Sequence, residues 1–301
     1  MIPVEAKELE AYERAGHIAH AALHLGKRLA KPGEKLLAIA EGIEAYIREQ
    51  GAKPAFPVNL SVNEAAAHYT PETDDISVVG ERDLLKIDVG VHIDGFIADN
   101  ALTVDFSGEN GKLVETSEAA LSAAIAAAKP GAKLSEVGAA VESAIKSRGF
   151  RPIENLTGHL LGRYELHAGL EIPNISSKDG RTLEEGQAIA IEPFATTGQG
   201  RVGESQKVEI FSLIEARPTR MREARRLLQF VDSNFRTLPF AERWLAPAFP
   251  SKLFLHTSLK ELVLSGSFDQ YPVLKEIKGG LVSQAEHTVL IERDGARILT
   301  S

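Results

Sequence analysis

Residues 83–106 read DLLKIDVGVHIDGFIADNALTVDF. Two β-rich runs meet at Asp94-Gly95, the dipeptide of a tight hairpin turn, so the stretch predicts an antiparallel pair. Each run carries a carboxylate among apolar neighbours, Asp88 in LLKIDVGV and Asp99 in GFIADNALTV. They lie 99 − 88 = 11 residues apart, and pairing across the turn can bring both to one face. Two anions that close repel unless a cation lies between them.

Three more ionisable residues are planted in apolar, strand-like surroundings: His159 after the turn residues of NLTGHLL, Glu192 in AIAIEPFA and Glu286 in LVSQAEHTVLI. Burying an unpaired carboxylate costs on the order of several kcal/mol, and these runs offer few Lys or Arg as partners. Four carboxylates and one imidazole make an oxygen-rich, thiol-free donor set suited to Mn, Fe, Co or Zn. They exceed the needs of one ion, and bridging oxygens would hold two divalent ions roughly 3.5–4 Å apart.

Outward from these runs, residues 5–30 and 33–50 read as amphipathic helices broken at Lys31-Pro32-Gly33. A second helical pair, 115–129 and 133–148, is broken at Pro130-Gly131 in the same manner, which hints at an old duplication. Strand-like runs follow at 188–196 and 208–215. Residues 217–270 then change character, with a strong amphipathic helix at 218–236 and mixed loops around Trp244. The strand pattern resumes at 281–292 and closes with ARILT. The plainest parse is an α+β catalytic unit, residues 1–216 together with 271–301, carrying a mostly helical insertion at 217–270.

Thirty-four Lys and Arg against 42 Asp and Glu leave a formal charge of −8, so no global basic field exists to hold nucleic acid, and none is expected as a partner. With no Cys, the chain forms no disulfide and no thiolate metal site. The first 14 residues carry six charges and no apolar h-region, which argues against a secretory signal. The Ala-rich stretch 119–128 is too short for the roughly 20 apolar residues of a membrane span. The expectation is a cytoplasmic protein, and nothing suggests an obligate partner, so a monomer is expected.

Several motifs are discounted. His17, His20 and His24 share one helix face, but no ordered acidic group accompanies them and an N-terminal helix excludes water poorly. Gly198–Gly203 matches G-x-G-x-x-G, yet ESQKVEIFSLI after it alternates like a strand, so the helix that would hold a pyrophosphate is missing. Asn59-Leu60-Ser61 and Asn155-Leu156-Thr157 match the glycosylation sequon but lack a secretory context. The 218–236 helix, with five Arg, could touch nucleic acid or a ribosome; more often such a charge run is a solvated face.

The order Asp88, Asp99, His159, Glu192, Glu286 resembles the metallopeptidases of the pita-bread fold, and in particular the type 2 methionine aminopeptidases. The resemblance rests on FPVNLSVNEAAAHYTP (56–71), KIDVGVHIDGFIADNALTVDF (86–106), GHLLGRYELHAG (158–169), AIAIEPFATTGQGRV (188–202) and IKGGLVSQAEHTVL (277–290). Prolidases and aminopeptidase P of the same fold tend to carry H-G-x-G-H where this chain has GHLLGRYELHAG. The 286 − 192 = 94 residue gap holds the insertion that marks type 2 over type 1. The absence of a polybasic extension points to the short, archaeal form. Rival readings are a proline-directed peptidase of this fold and a non-catalytic relative that binds RNA or ribosomes after losing ligands; here all five ligand positions are filled.

The resemblance implies roles. Asp88 would chelate one ion, His159 and Glu192 the other, and Asp99 and Glu286 would bridge both. Hydroxide formed between the ions would attack the first peptide carbonyl, with Glu192 moving the proton to the departing amine. His68 and His167 would hydrogen-bond the scissile amide and the tetrahedral intermediate. Without the resemblance, His68 in AAAHYTP would read as a helix-end histidine with no task. Phe56, Leu166 and Tyr271 would line a pocket for the Met side chain. His287 points the other way along its strand and receives no role. The substrate would be a nascent chain with N-terminal Met and a small second residue, in transient contact with the ribosome. Since this chain begins Met1-Ile2, the bulky Ile2 predicts that it keeps its own initiator Met.

Overall fold

The computed structural model describes residues 6–301; Met1 to Glu5, and with them the start of the first expected helix and the Met1-Ile2 corollary, lie outside the described residues. The central hairpin forms as expected, with strands Leu84–Ile93 and Phe96–Asp105 paired along their whole length. Asp94 (φ 51°) and Gly95 (φ 92°) both take the left-handed turn conformation that matches strand twist. Gly90 lies opposite Asp99 and Asp88 opposite Ala101, so the two carboxylates are diagonal neighbours on one face.

This hairpin belongs to a nine-stranded sheet, all of whose pairings are antiparallel. Across it run Leu84–Ile93, Phe96–Asp105, Glu286–Glu292, Ala188–Ile191 and Thr157–Leu160 in that spatial order, flanked by shorter strands. Period-2 alternation divides its faces. Leu85, Ile87, Val89 and Val91 pack under helices α1 (Ala6–Leu29) and α2 (Leu36–Glu49), among Leu23, Ile39 and Ile43. Ile189, Ile191, Val289 and Ile291 pack under α3 (Gly111–Ala127) and α4 (Leu134–Lys146), among Leu121, Val137 and Val141. With the helices covering one face, Asp88, Asp99 and Glu286 project from the other.

The two helix pairs dock through the same hydrogen bonds. Gly33 N donates to Val79 O (2.8 Å) and Leu36 N to Ser77 O (3.0 Å); Gly131 N donates to Leu183 O (2.8 Å) and Leu134 N to Arg181 O (2.9 Å). The Pro-Gly breaks are thus one device used twice, each glycine at positive φ.

Several boundaries differ from the sequence reading. The second helix starts at Leu36, not 33; the third spans Gly111–Ala127, and α5 spans Arg222–Asn234. The run 188–196 is two strands, Ala188–Ile191 and Phe194–Thr196, and 281–292 splits into Val282–Gln284 and Glu286–Glu292. Pro193 cannot donate to a ladder, and Phe194–Thr196 crosses into a separate three-stranded sheet where it pairs with Val282–Gln284. Glu192 sits at this crossing. The strand expected at 208–215 is longer, Val202–Leu213, and begins inside the glycine motif; no helix follows that motif. Its turn is instead held by the Glu276 carboxylate, which accepts from Gln199 N (2.6 Å), Lys278 N (2.7 Å) and Gly280 N (3.0 Å).

Between 217 and 270 the chain forms α5, α6 (Glu242–Leu245) and α7 (Lys252–Leu264). Leu227, Val231, Leu255, Leu259 and Leu262 share a core with Phe211, Phe240 and Phe268. A buried polar knot ties this segment to α2: Glu44 accepts from Arg243 Nη2 and from Trp244 Nε1 (2.7 Å), while Arg243 Nη1 donates to Thr70 Oγ1 (2.6 Å). Among the described residues no helix is long and apolar enough to cross a membrane.

Candidate metal centre and active site

Five neighbouring strands of the large sheet each bring one of the five singled-out side chains. Asp88 and Asp99 come from the hairpin, Glu286 lies opposite Ala101 on the next strand, Glu192 follows the last residue of Ala188–Ile191, and His159 lies opposite Ala190. All five line one cavity of about 60 Å³. Thr288 secures the junction, donating to Asp99 O (2.8 Å) while its Oγ accepts from Asp99 N (2.7 Å).

His159 Nε2 stands 3.8 Å from Asp99 Oδ2 and 3.6 Å from Glu192 Oε1. Ligand atoms of Asp99, His159 and Glu286 all lie within 4.8 Å of one another. Among the described residues His159 is the one ion-pairing neighbour within 4.0 Å of these carboxylates. Lys86, two residues from Asp88, spends its buried ammonium on the Asn63 carbonyl (2.8 Å), and burial lowers its pKa to about 7. Asp88 Oδ1, Asp99 Oδ1 and Glu286 Oε1 are buried without hydrogen-bond partners.

Burial, and after it the charge of Asp88, pushes the Asp99 and Glu192 carboxyls well above the usual carboxylate range. Glu286 rises likewise, from burial and then the charge of Asp99, and burial raises Asp88 to about 7. Burial holds His159 down to about 3, so its imidazole is neutral and free to ligate. Orphaned oxygens, repelling carboxyls and a neutral imidazole fit a divalent cation better than an ion-paired core.

The remaining residues expected at the site reach the same cavity. Phe56, His68, Leu166, His167 and Tyr271 all line it. His68 follows a strand, Ala65–Ala67, and its φ of 65° is the left-handed region, an uncommon conformation for a non-glycine residue. Its Nδ1 lies 3.2 Å from Pro272 O; since a carbonyl only accepts, Nδ1 carries the proton and Nε2 offers a lone pair. Burial lowers its pKa to about 4. The ring of His167 stands 4.6 Å from that of His159, and Tyr271 lies edge-on to His68 at 5.5 Å.

Sequence reasoning missed Asn59, Ile210 and Pro239, which also line the cavity, and Gln284, whose Nε2 donates to Glu192 Oε2 (3.3 Å). Alternation from Glu286 could have found Gln284; Ile210 and Pro239 arrive through long-range packing that no local spacing announces. His20 and His24 rings stand 4.4 Å apart but gain no third converging ligand among the described residues. His287 does face away, with Nδ1 2.9 Å from Thr300 Oγ1.

A sheet that gathers carboxylates and one histidine beside a small apolar pocket defines a metal-dependent hydrolase of α+β architecture. The chain belongs to metallopeptidase family M24, which residues 10–216 match, and within it to the methionine aminopeptidases of archaea. It is 48% identical to the methionine aminopeptidase of Thermococcus kodakarensis over 97% of this chain and 99% of that one. In shape it matches a thermophilic Arx1 at TM-score 0.87 (19% identity, 98% of this chain and 91% of that one). The methionine aminopeptidase of Thermotoga maritima follows at 0.73 (24% identity, 100% of both chains). The architecture is the pita-bread fold.

Proposed function

We propose that this chain removes the N-terminal methionine from nascent proteins in the cytoplasm when the second residue is small. The observation that carries this reading is a small pocket that shares its reacting side chains with a larger groove. The small cavity has apolar walls at Phe56, Leu166, Ile210 and Pro239, while an adjoining groove of about 530 Å³ runs past Leu156, Gly169 and Arg181. His68, His159, His167 and Glu192 line both spaces. One side chain fits behind the reacting centre and the rest of the peptide leaves in front of it, the arrangement an exopeptidase needs. A second residue lying between two imidazoles favours a small side chain.

Asp88, Asp99, His159, Glu192 and Glu286 would together hold two divalent ions, of Co, Mn, Fe or Zn, with Asp99 and Glu286 the carboxylates common to both. When bound, such ions polarise the scissile carbonyl and acidify water. Glu192, steadied by Gln284, takes the proton of the attacking water on its carboxylate and passes it to the departing amine. His68 accepts the scissile N–H at its unprotonated Nε2, orienting the amide, while His167, which lines the same cavity, hydrogen-bonds the tetrahedral intermediate.

Hydrolysis of Met-Ala-Ser against Xaa-Pro peptides, with and without chelator, tests the reading. Release of free Met that stops on chelation is expected; cleavage that ignores chelator, or that requires Pro, contradicts it.

A further inference from the structure

An aminopeptidase must recognise a free α-ammonium, and its donors need acceptors. Asn59 is 4% exposed, lines the catalytic cavity and lies directly opposite Asp88 in the strand register. Its Nδ2 donates to Pro57 O at 2.8 Å. A carbonyl cannot donate, so this contact fixes which end of the carboxamide is which: nitrogen toward Pro57, oxygen away from it. That oxygen, Oδ1, is buried and has no hydrogen-bond partner. An orphaned buried acceptor is costly, and one held at a substrate cavity is preorganised for a donor that arrives with the ligand.

We propose that Asn59 Oδ1 is a fixed acceptor for the substrate's α-ammonium, a specificity-determining contact that makes the site select free N-termini. The inference rests on the aminopeptidase reading above, since only that reaction brings an ammonium beside Asp88. The carboxylates attract a cation without direction, whereas the Asn59 carbonyl supplies a direction. The Asn59-Leu60-Ser61 sequon thus acquires a use unrelated to glycans.

The test is calorimetric titration of cobalt-loaded protein with L-methionine and with 4-(methylthio)butanoate, which is methionine without its amine. Asn59→Ala, and Asn59→Leu as a space-filling control, are compared with the unmutated chain after metal content has been measured. The proposal expects both variants to keep their metal, to lose about tenfold or more in methionine affinity, and to bind the des-amino acid as before. Equal losses for the two ligands, no loss for either, or loss of metal would overturn it. Failure of the underlying reading would show elsewhere, as no release of Met from Met-Ala-Ser by the unmutated enzyme.

Discussion

Asp88 and Glu192 hold matching places in the two halves of the central sheet. Val79 accepts from Gly33 and Leu183 from Gly131; Asp88 lies 88 − 79 = 9 residues beyond the first, Glu192 192 − 183 = 9 beyond the second. In each half a short strand pairs alongside, setting Ser61 opposite Lys86 and His159 opposite Ala190, two residues before the matched carboxylates. The imidazole therefore enters from one half only, and the site combines a repeated scaffold with an unrepeated ligand.

His68→Ala is expected to keep its metal and lose turnover by roughly a hundredfold or more, because a preorganised hydrogen bond at the reacting amide disappears while the carboxylates stay in place. Elemental analysis beside kcat for Met-Ala-Ser checks it. Loss of metal in this variant would contradict the division of roles.

Stability should depend on pH differently with and without metal. A carboxylate whose pKa is raised on folding stabilises the fold below its unfolded pKa and loses that contribution as pH rises through the folded value, here about 7 for Asp88 and upward for Asp99, Glu192 and Glu286. The metal-free protein therefore loses these contributions from about pH 4 to beyond 7, while metal needs the ionised forms. The gain in Tm on adding Mn or Co should grow between about pH 5 and 8. A gain that is flat or shrinks over that range would count against a carboxylate cation site. His68 and His92, both lowered to about 4 by burial, stay neutral across most of this window in either form.

Gly90 faces the pocket opposite Asp99, and a Cβ there would stand 2.1 Å from the Phe56 ring. Gly90→Ala should cost about 1–3 kcal/mol and raise KM for Met peptides, because Phe56 must shift into the space the Met side chain needs. Thermal melts and steady-state kinetics read both; an unchanged KM would remove Phe56 from the pocket wall.

Glu276→Gln should destabilise by about 1–3 kcal/mol without touching the chemistry, since an amide nitrogen would face backbone N–H groups that the carboxylate now satisfies. Urea unfolding measures the loss. A neutral result would mean that Gln199, Lys278 and Gly280 find other acceptors.

What could be read from the sequence follows from range. The Asp94-Gly95 turn, the Pro-Gly breaks and the five ionisable residues in apolar runs are local signals, and all appear where expected. The breaks at Glu192-Pro193 and Ala285 were not legible: continuous hydrophobicity hides a strand that leaves one sheet for another, although Pro193 was a clue. The role of Asn59 was masked because its surroundings read as an unused sequon, and Pro239 reaches the pocket beside Ile210 because Phe240–Ala241 pair with Ile210–Phe211, a contact no local spacing announces.

The most direct test counts ions. Plasma mass spectrometry and calorimetry on the purified, reloaded chain should find two divalent ions per molecule, with Asp99→Ala failing to retain them while remaining folded by circular dichroism. A folded, unmutated chain that takes up no Co, Mn, Fe or Zn would contradict the account at its root.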